Sequence, residues 1–432
     1  MNRKFTVVSL FSGAGGLDIG LERTGRFVTL ACVELEGTFC DTLEANRDAG
    51  RFGRSSTRIV RGDISKQDPE ELMAELGLAP GDLDALVGGP PCQSFSTAGR
   101  RGTIGDERGM LLWQFTRYVA AFQPKFFVME NVRGLLSAAV RHRHLKDRPE
   151  RGGRQLATDE MPGSVVERWL ADLHALTHFA YRVDCFEVNA VNYGAPQLRE
   201  RALFFGNRLG RQVEFPAPTH GDGNGLEPFN TLGRTLQNVV TDDGEILDFS
   251  PRKKRYLAMV PEGANWRALP AELQIESMGR AWHAKGGRSG WWRRLTRDLP
   301  SPTVVTMPNH ASTSMCHPTE TRALTLRECA AIQEFPPEWE FVGTTAQKYA
   351  QVGNAIPVRL GEVAGHVLAK HLHRVNVSGV KSAPRYRRVY LHSHVRTRQW
   401  YRAGQTFVWV DGNDNGASRY SARRKQVVAA AV

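Results

Sequence analysis

The run GGPPCQSFS, residues 88–96, places one thiol, Cys92, directly behind two glycines and two prolines. Proline fixes its own φ and glycine frees the backbone, so the run makes a defined turn rather than a packing surface. The preceding LDALVGG is apolar enough for a buried strand, which puts the sulfur at a strand end. A free thiol with a pKa of ~8.5 is mostly protonated at neutral pH, so chemistry at Cys92 needs company. Glu130 and Asn131 close the run KFFVMEN, where an acid is expensive to bury unless it is paired or protonated. Further on, QLRER carries Gln197, Arg199 and Arg201 at alternate positions, so an extended backbone points both guanidinium groups to one face. A thiol, a carboxyl and a cation pair suit addition to a ring whose oxygen is polarised.

A second group of residues reads as a cofactor site. In FSGAGGLDIG, residues 11–20, Gly13, Gly15 and Gly16 make a tight strand-to-helix turn. The spacing is G-x-G-G and not G-x-G-x-x-G, which disfavours a dinucleotide with its pyrophosphate. Glu34 ends the next strand, where a carboxylate accepts from two ribose hydroxyls, and Asp63 ends a third, near the place of an adenine amino group. Each acid has a plainer reading, a solvated strand end for Glu34 and a helix cap for Asp63. Three suitable strand ends in chain order favour a nucleoside without phosphates, such as S-adenosylmethionine.

These residues need a sheet to position them. The first 206 residues alternate short apolar runs with helical patterns, the sign of an α/β doubly wound, mostly parallel sheet of the Rossmann-like kind. Strands are predicted at FTVVSLF, FVTLACVE, RIV, LDALVGG, KFFVMEN, YRVDCFEVN and RALFFG. Asp68-Pro69-Glu70-Glu71 and the Ser164 to Glu167 box mark helix starts, and Thr325 to Glu328 marks another. Pro357 opens a helix whose Leu360, Val363, Ala364, Val367, Leu368 and Leu372 share a face. Residues 141–162 are polar and punctuated by glycine and proline, which reads as an exposed inserted loop. The expected division is a catalytic, cofactor-binding unit at 1–206 plus 345–375, a smaller irregular recognition domain at 207–344, and a basic extension at 376–432.

The 432 residues carry a formal charge of +12, which favours a polyanionic partner, with nucleic acid the first expectation. Six cysteines without C-x-x-C spacing exclude the usual zinc and redox patterns, and no metal site is expected. No signal-peptide core opens the chain and no run of about 18 apolar residues occurs, so a cytoplasmic protein is expected.

The chemistry follows from the parts. Carbon 5 of cytosine is a poor nucleophile, but a thiolate adding to carbon 6, with a proton given to N3, makes the ring an enamine able to attack a methylsulfonium. At this point the chain resembles the cytosine-C5 DNA methyltransferases of bacterial restriction-modification systems, over about residues 5–375. FSGAGG is similar to that family's cofactor loop, GGPPCQSFS to its nucleophile loop, ENV to its acid, QLRER to its arginine motif and QVGNAIPV (351–358) to its closing cofactor motif. The resemblance implies Cys92 as nucleophile and Glu130 as the acid at N3, with Asn131, Gln197, Arg199 and Arg201 supporting the base or its sugar phosphate. It implies S-adenosylmethionine contacts from Phe11, Ser12, Gly13, Gly15, Gly16, Leu17, Glu34, Asp63, Ile64, Pro90, Asn354 and Ala355. It also implies double-stranded DNA as partner, with residues 93–111 as a loop closing over a flipped-out base and Ser94, Arg100, Arg101 and Arg108 at the phosphates. A recognition region then lies at about 207–296, where Arg288, Trp291, Trp292, Arg293 and Arg294 suit a DNA-facing surface. A monomer with a cognate endonuclease as genetic partner is expected. RNA methylation, a folate-dependent pyrimidine enzyme and a silent DNA-binding descendant are the rivals; the last two fit poorly with FSGAGG and with intact Cys92, Glu130 and Arg199.

Overall fold

The computed structural model describes residues 3–91, 111–177, 181–221, 225–240, 245–283, 289–373 and 386–391. The apolar runs form strands alternating with helices: β1 (Phe5–Leu10), α1 (Gly16–Arg23), β2 (Phe27–Glu34), α2 (Gly37–Asp48), β3 (Arg58–Arg61), α3 (Pro69–Glu75), β4 (Ala85–Gly88), α4 (Leu111–Phe122), β5 (Phe126–Val132), α5 (Ser164–Leu176), β6 (Arg182–Asn189) and β7 (Glu200–Asn207). The helices α6 (Leu232–Leu236), α7 (Pro251–Leu257), α8 (Ala271–Met278), α9 (Leu326–Ile332), α10 (Thr345–Asn354) and α11 (Val358–Leu372) follow, before a last strand β8 (Tyr386–Tyr390).

The sheet runs β3-β2-β1-β4-β5-β7-β6-β8. Neighbours are parallel except β7, which lies antiparallel between β5 and β6. Chain order reverses between β1 and β4, so their carboxyl ends open a crevice where such sheets bind ligands. Both faces are covered. In β5, Phe127 and Met129 pack with α4 and α5, while Phe126 and Val128 pack with α1 and α11. This period of two inside an all-apolar run is what a strand buried on both faces requires. The α1–α11 crossing is close enough that a Cβ on Gly20 would sit 2.3 Å from the Val358 carbonyl oxygen.

Three features differ from the sequence reading. Ser164 does not cap α5; its hydroxyl instead donates to the Asp159 carbonyl and accepts from Val140 N–H. The insertion at 141–162 is a set of single 3-10 turns folded around a buried Arg143–Glu160 pair, not a plain exposed loop. Residues 386–390, expected in a basic extension, pair with β6 as the eighth strand. Arg387 meets Asp184 and Arg388 meets Glu187, two fully buried carboxylates. Asp68 and Thr325 do cap α3 and α9, the latter as a full capping box.

Candidate active site

Glu130 reaches the carboxyl end of β5, where its carboxylate forms an ion pair with Arg201 Nε from the antiparallel neighbour β7. Both side chains are largely enclosed, so the pair meets the requirement that a buried acid be compensated. Register explains the meeting. Glu130 stands opposite Leu203 and Val132 opposite Arg201, so the long guanidinium reaches back along the strand pair to the acid. The next residue, Asn131, is buried and donates through Nδ2 to the Pro90 carbonyl (3.1 Å). That bond ties the acid's strand to the GGPP turn. Gly89 completes the join: a Cβ there would lie 3.0 Å from Glu130 Oε2. The glycines ahead of Cys92 therefore serve close approach as well as turning.

Arg199 and Gln197 face elsewhere. Arg199 is buried, and its guanidinium donates to the carbonyls of Val304 (3.1 Å), Gly353 (3.0 Å) and Ala355 (2.7 Å). Burial, with Arg201 close by, disfavours its charge and pushes its pKa well down; the carbonyl array and Glu130 offset this. Gln197 is fully enclosed, donating to the Ile332 carbonyl (2.9 Å) and to Gln333 Oε1 (2.7 Å). The expectation that Arg199 and Arg201 act together on one substrate-facing side is corrected: Arg201 pairs with the acid, while Arg199 and Gln197 clamp the segments at 304 and 351–355 onto the sheet. Alternation predicts one face but not what covers it.

On the other side of the crevice, Phe11 leaves β1 with φ 54°, a left-handed conformation unusual for a side chain of its kind. Gly13 follows at φ 57° with open space where a Cβ would be, whereas Gly15 (φ 83°) backs onto Leu43 and Trp339 and Gly16 onto the Ile356 carbonyl. Ser12 is buried and donates to the Ser9 carbonyl, and Leu17 packs inward in α1. Glu34 accepts from the N–H groups of Gly13 (2.7 Å) and Glu36 (2.9 Å), so the acid shapes the loop. Burial pushes its pKa up, against those two hydrogen bonds. Asp63 is held below the usual carboxylate range by the Ser65 N–H and hydroxyl, the cap-like arrangement that was its plainer reading. Ile64 and Pro90 are buried nearby in the chain path, Asn354 ends α10 exposed, and Ala355 is buried.

Sequence reasoning missed Leu35, which directly follows Glu34 and is 62% exposed. A large apolar side chain is thus left open beside a strand-end acid. The signal was the apolar residue itself, immediately after the acid.

The recognition-surface expectation is largely overturned. Trp292, Arg293 and Arg294 are buried. Arg294 donates to the carbonyls of Leu257, Val260, His317 and Glu320, and Arg293 to that of Ser314. Their guanidinium groups hold irregular backbone together in place of helices or strands, so they are not presented to a partner. Trp291 is half-buried against Trp292. In the basic run 252–255, Lys254 and Arg255 pair with Asp248 and Glu276, and Lys253 donates to Asn309. Cys92, Ser94, Arg100, Arg101, Arg108 and Arg288, with the loop at 93–111 up to residue 110, lie outside the described residues. The five described cysteines are buried and free, and burial pushes the Cys32, Cys185 and Cys329 thiols well above the ordinary range, the environment of an inert structural sulfur. Among the described residues no helix is long and apolar enough to cross a membrane.

The chain can now be set beside known proteins. The model of the C-5 cytosine-specific DNA methylase family matches residues 5–370. The Type II methyltransferase M.Eco47II of Escherichia coli is 34% identical over 382 residues, covering 87% of this chain and 81% of that one. M.Sau96I of Staphylococcus aureus, also a Type II methyltransferase, is 32% identical over 379 residues, covering 87% and 78%. The solved structure of the Entamoeba histolytica methyltransferase EhMeth has the same fold with a TM-score of 0.52 at 12% identity, covering 86% of this chain and 99% of that one. An acid on β5 whose strand is tied to the GGPP turn, a glycine loop with its strand-end acid, and a match of this extent lead to one conclusion: the chain belongs to the C-5 cytosine-specific DNA methylase family.

Proposed function

We propose that the chain methylates carbon 5 of a cytosine flipped out of duplex DNA, using S-adenosylmethionine, as the modification half of a restriction-modification system. The observation that carries this reading is the enclosed Glu130–Arg201 pair, fastened through Asn131 to the turn that leads into Cys92.

The Cys92 thiolate adds to carbon 6, forming a C–S bond as the C5–C6 π bond breaks, while Glu130, a carboxylate in the resting pair that takes up a proton before it acts, gives that proton to N3. Electron density then collects at carbon 5. Arg201 keeps Glu130 in place and supplies a cation for the ring's carbonyl oxygen. Asn131 keeps acid and nucleophile turn at a fixed separation, which converts the addition into a positioned, unimolecular event. Carbon 5 takes the methyl group as the donor's sulfonium C–S bond breaks and a neutral thioether leaves; loss of the carbon 5 proton, return of the N3 proton to Glu130 and expulsion of the Cys92 sulfur then restore the aromatic ring.

The crevice residues fit the donor. Gly13 leaves free space at the turn, Glu34 has acceptor capacity for ribose hydroxyls beyond its two backbone bonds, and exposed Leu35 offers a face to an adenine. Phe11, Asp63, Ile64, Pro90 and Asn354 complete the set. When bound, S-adenosylmethionine supplies an electrophilic methyl group on a sulfonium.

A duplex containing 5-fluorocytosine at the target position tests the reading, because fluorine cannot leave as the proton does and the adduct is trapped. The wild-type protein is expected to become covalently attached, and the Cys92→Ala variant is not. Formation of 5-methylcytosine by that variant, or a product methylated on the exocyclic nitrogen, would refute the mechanism.

A further inference from the structure

Between β5 and α5 the inserted segment has a fixed shape. Its base is closed by Arg141 N–H to the Asp159 carbonyl (2.9 Å) and Gly163 N–H to the Ala138 carbonyl (3.0 Å). Inside, Arg143 Nε donates to Glu160 Oε1 (3.0 Å) and its Nη1 to the carbonyls of Arg154 (2.7 Å) and Gln155 (3.1 Å). Glu160 also accepts from Ala157 N–H (2.9 Å). The interior charge is thereby neutralised. Gly152 has φ 85°, and a Cβ on Gly153 would lie 2.0 Å from the Asp147 carbonyl oxygen, so the backbone doubles back where glycine alone fits.

This scaffold walls a cavity of about 620 Å³ lined by five basic side chains against two acidic ones. Arg141 and Arg143 are engaged with Asp159 and Glu160. Lys146, Arg151 and Arg154 are exposed, and among the described residues their charged ends meet no carboxylate. With Arg141 and Arg143 neutralised, Lys146, Arg151 and Arg154 face one lining carboxylate, Asp147, so the polar hollow keeps a net positive charge that selects an anion. The segment follows β5 and the 3-10 turn Arg133–Ser137 and precedes α5, a strand-to-helix connection at the carboxyl end of the sheet, the end that carries the Glu130–Arg201 pair.

We propose that this cleft holds the phosphodiester backbone of the duplex flanking the target base, a contact separate from base recognition. It rests on the reading of the chain as a DNA methylase. Lys146, Arg151 and Arg154 supply phosphate contacts that raise affinity for DNA of any sequence and set its salt dependence.

The test compares wild type with the triple variant Lys146→Ala, Arg151→Ala, Arg154→Ala and with the charge-keeping triple Lys146→Arg, Arg151→Lys, Arg154→Lys. Binding to a short and a long mixed-sequence duplex is followed by fluorescence anisotropy across a salt series, and methyl transfer to plasmid DNA gives kcat and KM. On the long duplex the alanine variant is expected to lose about 2–3 from the slope of log affinity against log salt, near one per lost phosphate contact. KM for plasmid DNA rises about tenfold at unchanged kcat, the short duplex is little affected, and the charge-keeping variant behaves as wild type. Unchanged slope and KM in the alanine variant overturn the proposal. So does calorimetry in which inorganic triphosphate binds the wild type tightly while DNA binding by the alanine variant is intact, since the cleft then serves a free anion. A wild type that binds DNA with the expected slopes but makes no 5-methylcytosine contradicts the catalytic reading and leaves the phosphate contact standing.

Discussion

Arg199 and Arg201 are two residues apart, yet the structure gives them opposite duties. Arg201 pairs with Glu130, whereas Arg199 holds three backbone carbonyls. Replacing Arg201 with alanine is therefore expected to lower turnover about 10²–10³-fold, the usual effect of losing one positioned cation or donor, with the fold retained. Arg199→Ala strips partners from three buried carbonyls and is expected to destabilise by about 3–5 kcal/mol in urea unfolding. Equal effects of both variants on stability would contradict this division. Asp18 offers a second residue-scale test. It is fully buried in α1, and burial pushes its pKa from 3.8 to about 7 against the partial relief of the nearby Ser9 hydroxyl. In the fold the acid keeps its proton up to about pH 7, while the unfolded chain loses it near pH 4. The contribution of Asp18 to stability is therefore fully present below pH 4 and drains away as pH rises toward 7, by at most about 4 kcal/mol. Asp18→Asn is expected to flatten the stability profile across this window, measured by denaturant unfolding at several pH values. A variant profile as steep as the wild type's would show that Asp18 is not the titrating group.

At the scale of elements, β8 changes what the tail is for. An edge strand without a partner exposes a row of hydrogen-bonding groups, and β6 also carries Asp184 and Glu187 fully buried. β8 covers that edge and brings Arg387 and Arg388 to both acids. Truncation after residue 385 removes those two arginines and is expected to destabilise by about 2–4 kcal/mol, less than for fully buried pairs because both are partly solvated. Combining the truncation with Asp184→Asn and Glu187→Gln should return part of that loss, since truncation leaves the two buried acids only the longer Arg182 (3.3 Å) and Arg133 (3.5 Å) ion pairs. No recovery would point to the backbone pairing rather than the ion pairs. The insertion before α5 belongs to the same scale. Its single turns have too little apolar surface to stand alone, and a buried ion pair with backbone acceptors fixes them instead.

Across the whole molecule, the irregular region after β7 is fastened to the sheet by buried hydrogen bonds rather than by a shared apolar face alone. Leu198 N–H donates to the Ser301 carbonyl, Gln197 and Gln333 interlock, and Arg199 reaches residues 304, 353 and 355. Calorimetric unfolding of the wild type is expected to give one cooperative transition, and Arg199→Met to split or broaden it. Two resolved peaks in the wild type would show that the two regions unfold independently. The excess positive charge, +12 over 432 residues, is distributed unevenly in use: Lys254, Arg255, Arg294, Arg387 and Arg388 are spent on the protein's own carboxylates and carbonyls, while among the described residues Lys146, Arg151 and Arg154 meet no carboxylate.

By itself the sequence determined the alternation of strands and helices, the turn behind Cys92, the loop at Gly13–Gly16 and the acids Glu34 and Glu130, because strand periodicity, glycine and proline geometry and side-chain chemistry are local properties. Tertiary packing decided which arginine meets the acid, that Arg293 and Arg294 point inward, that the tail supplies a strand, and that Leu35 stands open. Each of those outcomes depends on what residues from distant parts of the chain lie opposite, and on whether a charge loses its water there. A guanidinium has the same chemistry in every QLRER or WWRR, but its energy is set by the partners that burial leaves to it.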